Sequence, residues 1–291
     1  MSKAKELSPA QFRRMQLTEL DMIVEFDRVC RKNNISYVLF GGSLLGAVRH
    51  QGYIPWDDDA DIGMLREDYD RFKNHIGELN LSICYFQDHD TDPEYRWGYG
   101  KLRRTGTKYV RVGQEHLKCK TGIFVDVFPM DDISLSILGQ ILQDWHCFCL
   151  RKILWSEVAK VNTKGFWKIW FTMLSKIPAS VPFNGYKRYI KKSHNSTPNR
   201  VRCLSFPATG TLYRKNPLPE RYGMPKEWFT DRKEYLFEGK KFFGSRDYDT
   251  VLKYIYGDYM TLPDEKGREQ HSPFSEIEFP VDSRESFDYD I

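Results

Sequence analysis

Three aspartates and a glycine turn supply the residue types that phosphate chemistry needs. Gly41-Gly42-Ser43 follows an apolar, β-favouring run (Ile35 to Phe40) and precedes a helical stretch (Leu44 to His50), so it reads as strand, tight turn and helix start. Without Cβ atoms the glycines let the backbone approach a phosphate closely, and the N-terminus of the next helix adds partial positive charge. Shortly after comes Trp56-Asp57-Asp58-Asp59-Ala60-Asp61-Ile62-Gly63-Met64, whose second half alternates acidic with apolar residues as a half-buried strand would. That alternation predicts Asp59 and Asp61 on one face, where two carboxylates can share or bridge Mg²⁺, an ion that prefers oxygen ligands. A third carboxylate would complete the site. Asp126 is the candidate, since it lies between Val125 and Val127 in the apolar strand Gly122 to Phe128, where an unpaired charge would be costly. Phosphoryl transfer asks mainly for positioning and charge neutralisation, which metal and backbone donors provide. A GGS turn alone is an ordinary turn and an acidic run alone a solvated loop; it is their conjunction, with Trp56 leading the acids, that points to a site.

The elements that must position these residues are legible from periodicity. Ser8, Pro9 and Gln11 predict an N-cap, first-turn proline and capping-box partner, and Leu17, Leu20, Ile23, Val24, Phe26 and Cys30 continue an amphipathic helix to Asn33. A helix is predicted over Arg66 to Ile76, with strands over Leu81 to Phe86, Tyr95 to Arg103 and Gly122 to Phe128. From Ile133 to about Lys192 the apolar period is helical. Ser193 to Lys226 is a Pro-, Asn-, Gly-, Ser- and Thr-rich loop. Leu236 to Phe243, broken by Gly239, reads as a hairpin, Tyr248 to Tyr256 as a helix ending at Gly257, and the charged residues from Asp264 as a frayed terminus. With 291 residues and 41% apolar content the chain can build a real core, and 44 Lys and Arg against 40 Asp and Glu give no global charge to attract nucleic acid. The six cysteines lack CxxC spacing, and the charged N-terminus (Lys3, Lys5, Glu6) lacks a signal-peptide pattern, so a reducing, cytoplasmic setting is expected. No apolar stretch reaches the roughly 18 residues of a membrane span. The segment Gly165 to Pro178 comes nearest, its aromatics flanking Lys168, Thr172 and Lys176; this suits either a helix at a membrane interface or a core helix with one wet edge.

The run YVLFGGSLLGAVRHQGYIPWDDDADIGM (Tyr37 to Met64) resembles the signature of the LicD family, which includes bacterial phosphocholine transferases and the animal fukutin relatives. The resemblance continues through YGKLRRTGT (Tyr99 to Thr107), GIFVDVFPMD (Gly122 to Asp131), FEGKKF (Phe237 to Phe242) and YGDYMTLP (Tyr256 to Pro263), and is weakest in the helical middle. It implies a nucleotidyltransferase-like fold, Asp59 and Asp61 as metal ligands, Asp126 as the third carboxylate, and an acidic family position at Asp57. Arg49 and Lys101 also fall on family positions. The cysteines do not fit the zinc module of some members.

Arg49 and His50 end the helix after the glycine turn, and Lys101, Arg103 and Arg104 follow Tyr95 to Tyr99, where they could grip a donor diphosphate or form surface ion pairs. Alternation would place Tyr95, Trp97 and Tyr99 on one strand face, suited to stacking on cytosine, caging a trimethylammonium group, or packing in the core. No histidine has ligand spacing. The expectation is an α/β chain: a nucleotidyltransferase-like mixed sheet core with a helical insertion. Residues 1–132 form the catalytic core, 133–226 a mainly helical insertion and loop facing acceptor or membrane, and 227–291 a segment returning to the core. The expected reaction moves phosphocholine, or a related phospho-alcohol, from a CDP-linked donor such as CDP-choline to a hydroxyl of a lipid-linked cell-surface glycan. It would use Mg²⁺ or Mn²⁺ at the inner membrane face. Catalysis and metal binding fall to Asp59, Asp61 and Asp126, and substrate binding to Gly41, Gly42, Ser43, Arg49, Asp57, Trp97, Tyr99, Lys101 and Arg103. The rivals are an Asp-x-Asp nucleotide-sugar glycosyltransferase and a non-catalytic nucleotide- or glycan-binding module.

Overall fold

The computed structural model describes residues 4–193, 199–206, 222–264, 268 and 273–280. Helix α1 (Pro9–Lys32) begins at the expected capping box: Gln11 N–H donates to Ser8 Oγ (3.2 Å) and Ser8 N–H to Gln11 Oε1 (3.0 Å). Its Met22, Ile23 and Phe26 are fully buried against the sheet. The main sheet takes β1 (Val38–Leu39), β2 (Asp61–Leu65), β3 (Cys84–Gln87), β4 (Gly100–Arg104), β6 (Phe124–Asp132), β9 (Arg232–Phe237) and β10 (Lys240–Ser245) in the order β3-β4-β6-β2-β1-β10-β9. The β2·β6 and β1·β10 pairs are parallel and the other neighbours antiparallel, so the sheet is mixed, as expected of this α/β chain. Helix α2 (Gly41–Arg49) links β1 to the acidic loop, and α3 (Arg66–Asn74) follows β2. A small second sheet pairs β5 (Lys108–Arg111) with β11 (Phe274–Glu278).

The predicted hairpin is present. Phe237 pairs with Lys240 across Glu238 and Gly239, both at positive φ, the backbone of a two-residue primed turn. Helix α7 (Glu227–Thr230) precedes β9, and helix α8 (Tyr248–Tyr256) ends at Gly257 (φ 75°) as read from the sequence. Helices α4 (Ile137–Asn162), α5 (Gly165–Leu174) and α6 (Ser180–Ser193) occupy the helical stretch. Beyond them β7 (Arg200–Arg202) extends the sheet from β6, and β8 (Met224–Pro225) pairs with β7; most of the predicted Ser193–Lys226 loop lies outside the described residues. All six cysteines are free thiols.

Three expectations are corrected. The strand predicted from Tyr95 begins only at Gly100. Residues 95–99 are held instead by Tyr95 N–H donating to Asp92 O (2.9 Å) and by Arg96 donating to the Leu154 carbonyl of α4 (3.2 Å), so long-range contacts replace the sheet ladder. The strand through the acids starts at Asp61 and leaves Asp59 outside it. The terminus is not wholly frayed, because Phe274 buries its ring against Tyr109 (centroids 5.6 Å) and β11 pairs with β5. The core centres on interlocked aromatics: Phe72, fully buried, meets Phe26 at a tilt (centroids 4.7 Å) and Phe86 edge to face (5.5 Å). Phe72→Ala leaves a cavity there and should cost about 3–5 kcal/mol, read as a lowered urea midpoint at unchanged slope.

Candidate active site

Strand register sets the first three groups. Lys101 of β4 lies opposite Asp126 of β6, and Asp126 opposite Asp61 of β2, so neighbouring strands carry one row of lysine, aspartate, aspartate. Asp59 joins from the loop before β2. Carboxylate oxygens of Asp59, Asp61 and Asp126 all lie within 4.8 Å of one another, and those of Asp57, Asp58 and Asp59 form a second such group. The backbone just ahead of β2 is already bonded to β6, Asp126 N–H donating to Ala60 O (2.8 Å), which holds Asp59 close to Asp61 and Asp126. Helix α2 starts at Gly41 itself, so the glycines form its first turn rather than a separate one. Gly41 has φ +52°, and a Cβ there would lie 2.7 Å from Asp61 Oδ2; a Cβ on Gly42 would overlap the Asp57 carboxylate. Buried Ser43 accepts the Asp61 N–H at 2.8 Å and so fixes where β2 begins. Gly41, Gly42 and Ser43 thus make room for the acids and hold them at the positive end of a helix.

Burial and the packing of like charges together raise the carboxyl pKa of Asp57, Asp59 and Asp61. Burial, then Asp59 and Asp58, pushes the Asp57 carboxyl up to about 8. Burial raises Asp61, with Asp59 and Asp126 adding to it, and raises Asp59, where Asp126 adds most among the charges. Asp59 keeps 31% of its side chain exposed, and water softens its shift. Burial drives the Lys101 ammonium down to about 7, although it is ion-paired with Asp126. Three convergent carboxylates are a donor set for a divalent, oxygen-seeking cation, which would offset their repulsion. Two charged neighbours escaped the sequence reading. Glu19 of α1 is buried and raised by burial and by Asp59, Asp58 and Asp57. Arg111 of β5 reaches Asp59 Oδ2 at 3.9 Å. Glu19 left a signal, a charge on the stripe Met15, Glu19, Met22, Phe26; Arg111 left none, since its place depends on the pairing of β5 with β11.

The remaining expected residues divide. Trp97 and Tyr99 line a cavity of about 270 Å³ together with Trp155, Tyr186, Phe206 and Arg151. Trp97 also lines a smaller one, about 40 Å³, with Lys101, Arg103, Arg111 and Phe124, so its ring stands between the cavity and the acids' lysine. Tyr95 is fully buried beneath Trp97 (centroids 5.2 Å). Arg49 does not turn to the acids: it donates to Tyr259 O (2.7 Å) and His50 Nε2 (2.9 Å). Arg103 is buried, donating to Gln87 Oε1 (2.7 Å) and Gly122 O (2.8 Å), and Arg104 to the Ser82 and Ile83 carbonyls. A raised carboxyl pKa means that the folded chain holds protons the unfolded chain has released, so stability falls as pH climbs from about 4 to about 8. In excess EDTA, thermal melts should therefore show a higher midpoint near pH 5.5 than near pH 8, and Mg²⁺ should raise the midpoint more at the higher pH.

Residues 34–172 match the family described as LicD/FKTN/FKRP, nucleotidyltransferase domain. The lipopolysaccharide cholinephosphotransferase LicD of Haemophilus influenzae is 28% identical over 271 residues, covering 89% of this chain and 95% of that protein. An uncharacterized protein of Rickettsia typhi, RT0683, is 44% identical over 79 residues, 25% of this chain and 26% of its own. Human ribitol 5-phosphate transferase FKRP is 59% identical over 34 residues, 12% of this chain and 7% of its own. The row of Lys101, Asp126 and Asp61 thus lies inside the region of this chain that matches the LicD nucleotidyltransferase family.

Proposed function

We propose that this chain is a phosphotransferase that moves phosphocholine from CDP-choline to a hydroxyl of a glycan on a lipid carrier at the cytoplasmic face of a membrane. The observation that carries the reading is the convergence of Asp59, Asp61 and Asp126 beside Lys101 at the start of α2. Residues 1–132 serve as the catalytic core, 133–226 face acceptor and membrane, and 227–291 complete the core. When bound by the three aspartates, Mg²⁺ or Mn²⁺ supplies charge neutralisation at the donor phosphates. The chain's own groups do the rest. The first-turn amides of α2 orient the donor diphosphate. Asp126 accepts the proton of the acceptor hydroxyl as its oxygen bonds to the choline-bearing phosphorus. The bond from that phosphorus to the CMP oxygen breaks, and CMP leaves with the electron pair, its charge met by Lys101 and Arg111. Arg103, tied up in the sheet, positions Gln87 and the Gly122 loop, and Arg49 anchors α2 to the C-terminal segment.

Choline is favoured over an alditol because Trp97, Tyr99, Trp155, Tyr186 and Phe206 gather round one cavity, and because a relative spanning most of the chain is a cholinephosphotransferase. Arg96 and Arg151, lining the same cavity, suit the donor phosphates.

Asp61→Asn and Asp126→Asn should each cut metal-dependent CMP release from CDP-choline at least about a hundredfold while the melt is retained, the scale of losing one electrostatic contact to developing charge. Turnover of UDP-sugars in place of CDP-choline would instead assign a glycosyltransferase. A cation over a ring gains about 0.5–2 kcal/mol, so Trp97→Leu should lower kcat/KM for CDP-choline roughly two- to thirtyfold more than for CDP-ribitol. Equal losses would remove choline as the cargo and leave the transfer chemistry in place.

A further inference from the structure

Helix α4 is apolar on two sides. Its inward side buries Leu150, Leu154 and Val158 beside Gln140, Asp144 and Ser156, while Leu138, Ile141, Leu142, Trp145, Phe148 and Trp155 stand exposed at helical spacing. Helix α5 packs along α4, and none of its residues is buried; Trp167 is 58% exposed and Phe166 69%. Among the described residues most of the large exposed apolar side chains lie on this one stretch, a surface that water disfavours unless something covers it. The core-helix reading of Gly165 to Pro178 is thereby excluded. The same stretch is basic: residues 137–176 hold six Lys and Arg against two Asp and Glu. Of those two acids, Asp144 is buried and paired with Arg202, and Glu157 is paired with Lys160.

We propose that α4 and α5 form a docking face for an anionic lipid bilayer. Trp167, Trp170 and Phe166 enter the boundary between headgroups and acyl chains, and Lys164, Lys168 and Lys176 meet the headgroup phosphates. Charge decides between a bilayer and a second copy of this chain. A two-fold contact would set the same basic stretch against itself, whereas an anionic membrane neutralises it. The docking face also adjoins the site: Arg151, Lys152 and Trp155 of α4 line the cavity that holds Trp97 and Tyr99. Docking would therefore bring that cavity to the surface in which a lipid-linked acceptor resides. This consequence rests on the proposed transferase reading; the docking itself does not.

Flotation of the full chain with phosphatidylcholine vesicles, with and without about one third phosphatidylglycerol, tests docking without any catalytic assay. The wild-type chain should float with the anionic vesicles, only weakly with the neutral ones, and less in high salt. Trp167→Glu combined with Trp170→Glu should weaken anionic-vesicle binding on the order of tenfold or more, with an unchanged cooperative melt. Lys164→Glu with Lys168→Glu should erase the preference for anionic lipid and is a second route should the tryptophan variant misfold. Failure of the wild-type chain to float, or equal flotation of wild type and both variants, would overturn the proposal. So would a wild-type dimer in sedimentation that the tryptophan variant converts to a monomer, which would assign the face to a second copy.

Discussion

Carboxylates that repel one another are held within a few ångströms in a partly buried pocket, and much of the surrounding architecture follows from that constraint. The parallel pairing of β2 with β6 puts Asp61 beside Asp126. Asp59 comes to the same point from the loop just ahead of β2. Neither would persist as bare charge in a low-dielectric setting without the cationic and hydrogen-bond-donating groups that stand among the acids. Lys101 sits in the next strand, Arg111 reaches in from the small sheet, and the positive end of α2 faces the cluster. Two glycines open α2 because any side chain there would displace a carboxylate.

The acidic loop is fixed from behind by segments far apart in the chain. Gln16 of α1 donates to the carbonyls of Ile54 (3.2 Å) and Asp57 (3.1 Å), pinning the entry to the stretch that carries the acids. The hairpin turn of β9 and β10 places Glu238 against Arg13 of α1 (2.5 Å) and under the Tyr53 N–H (3.0 Å). Arg49 ties α2 to Tyr259 near the C-terminus. These contacts are strongest where backbone groups or half-buried partners are involved, and they make the C-terminal strands part of the site's support rather than an appendage.

The helices after β6 connect chemistry to place. One side of α4 faces the aromatic cavity next to Lys101, and the other carries the apolar stripe that α5 extends. No helix among the described residues is long and apolar enough to cross a membrane, so any attachment through this face is to a surface.

Local signals in the sequence determined a good deal. The capping box of α1, the glycine stop of α8 and the Glu238-Gly239 hairpin turn each depend on a few consecutive residues, and each stands where the sequence put it. The carboxylates were legible too, because charge embedded in an apolar run is a local anomaly: Asp126 between two valines, Asp61 before Ile62. Tertiary structure decided what depends on distant partners. Asp59 and Asp61 looked like strand neighbours, yet Asp59 lies in the loop just ahead of β2, which α1 and α2 hold in place. The aromatic run from Tyr95 to Tyr99 resembled one strand face, but hydrogen bonds to Asp92 and α4 pull it out of the sheet and give Tyr95 to the core and Trp97 to the cavity. Arg103 and Arg111 are indistinguishable as sequence; only the register of β4 and the pairing of β5 with β11 turn one into the sheet and the other toward Asp59. Periodicity records which residues share a face, but what that face meets is set by contacts between residues far apart in the chain.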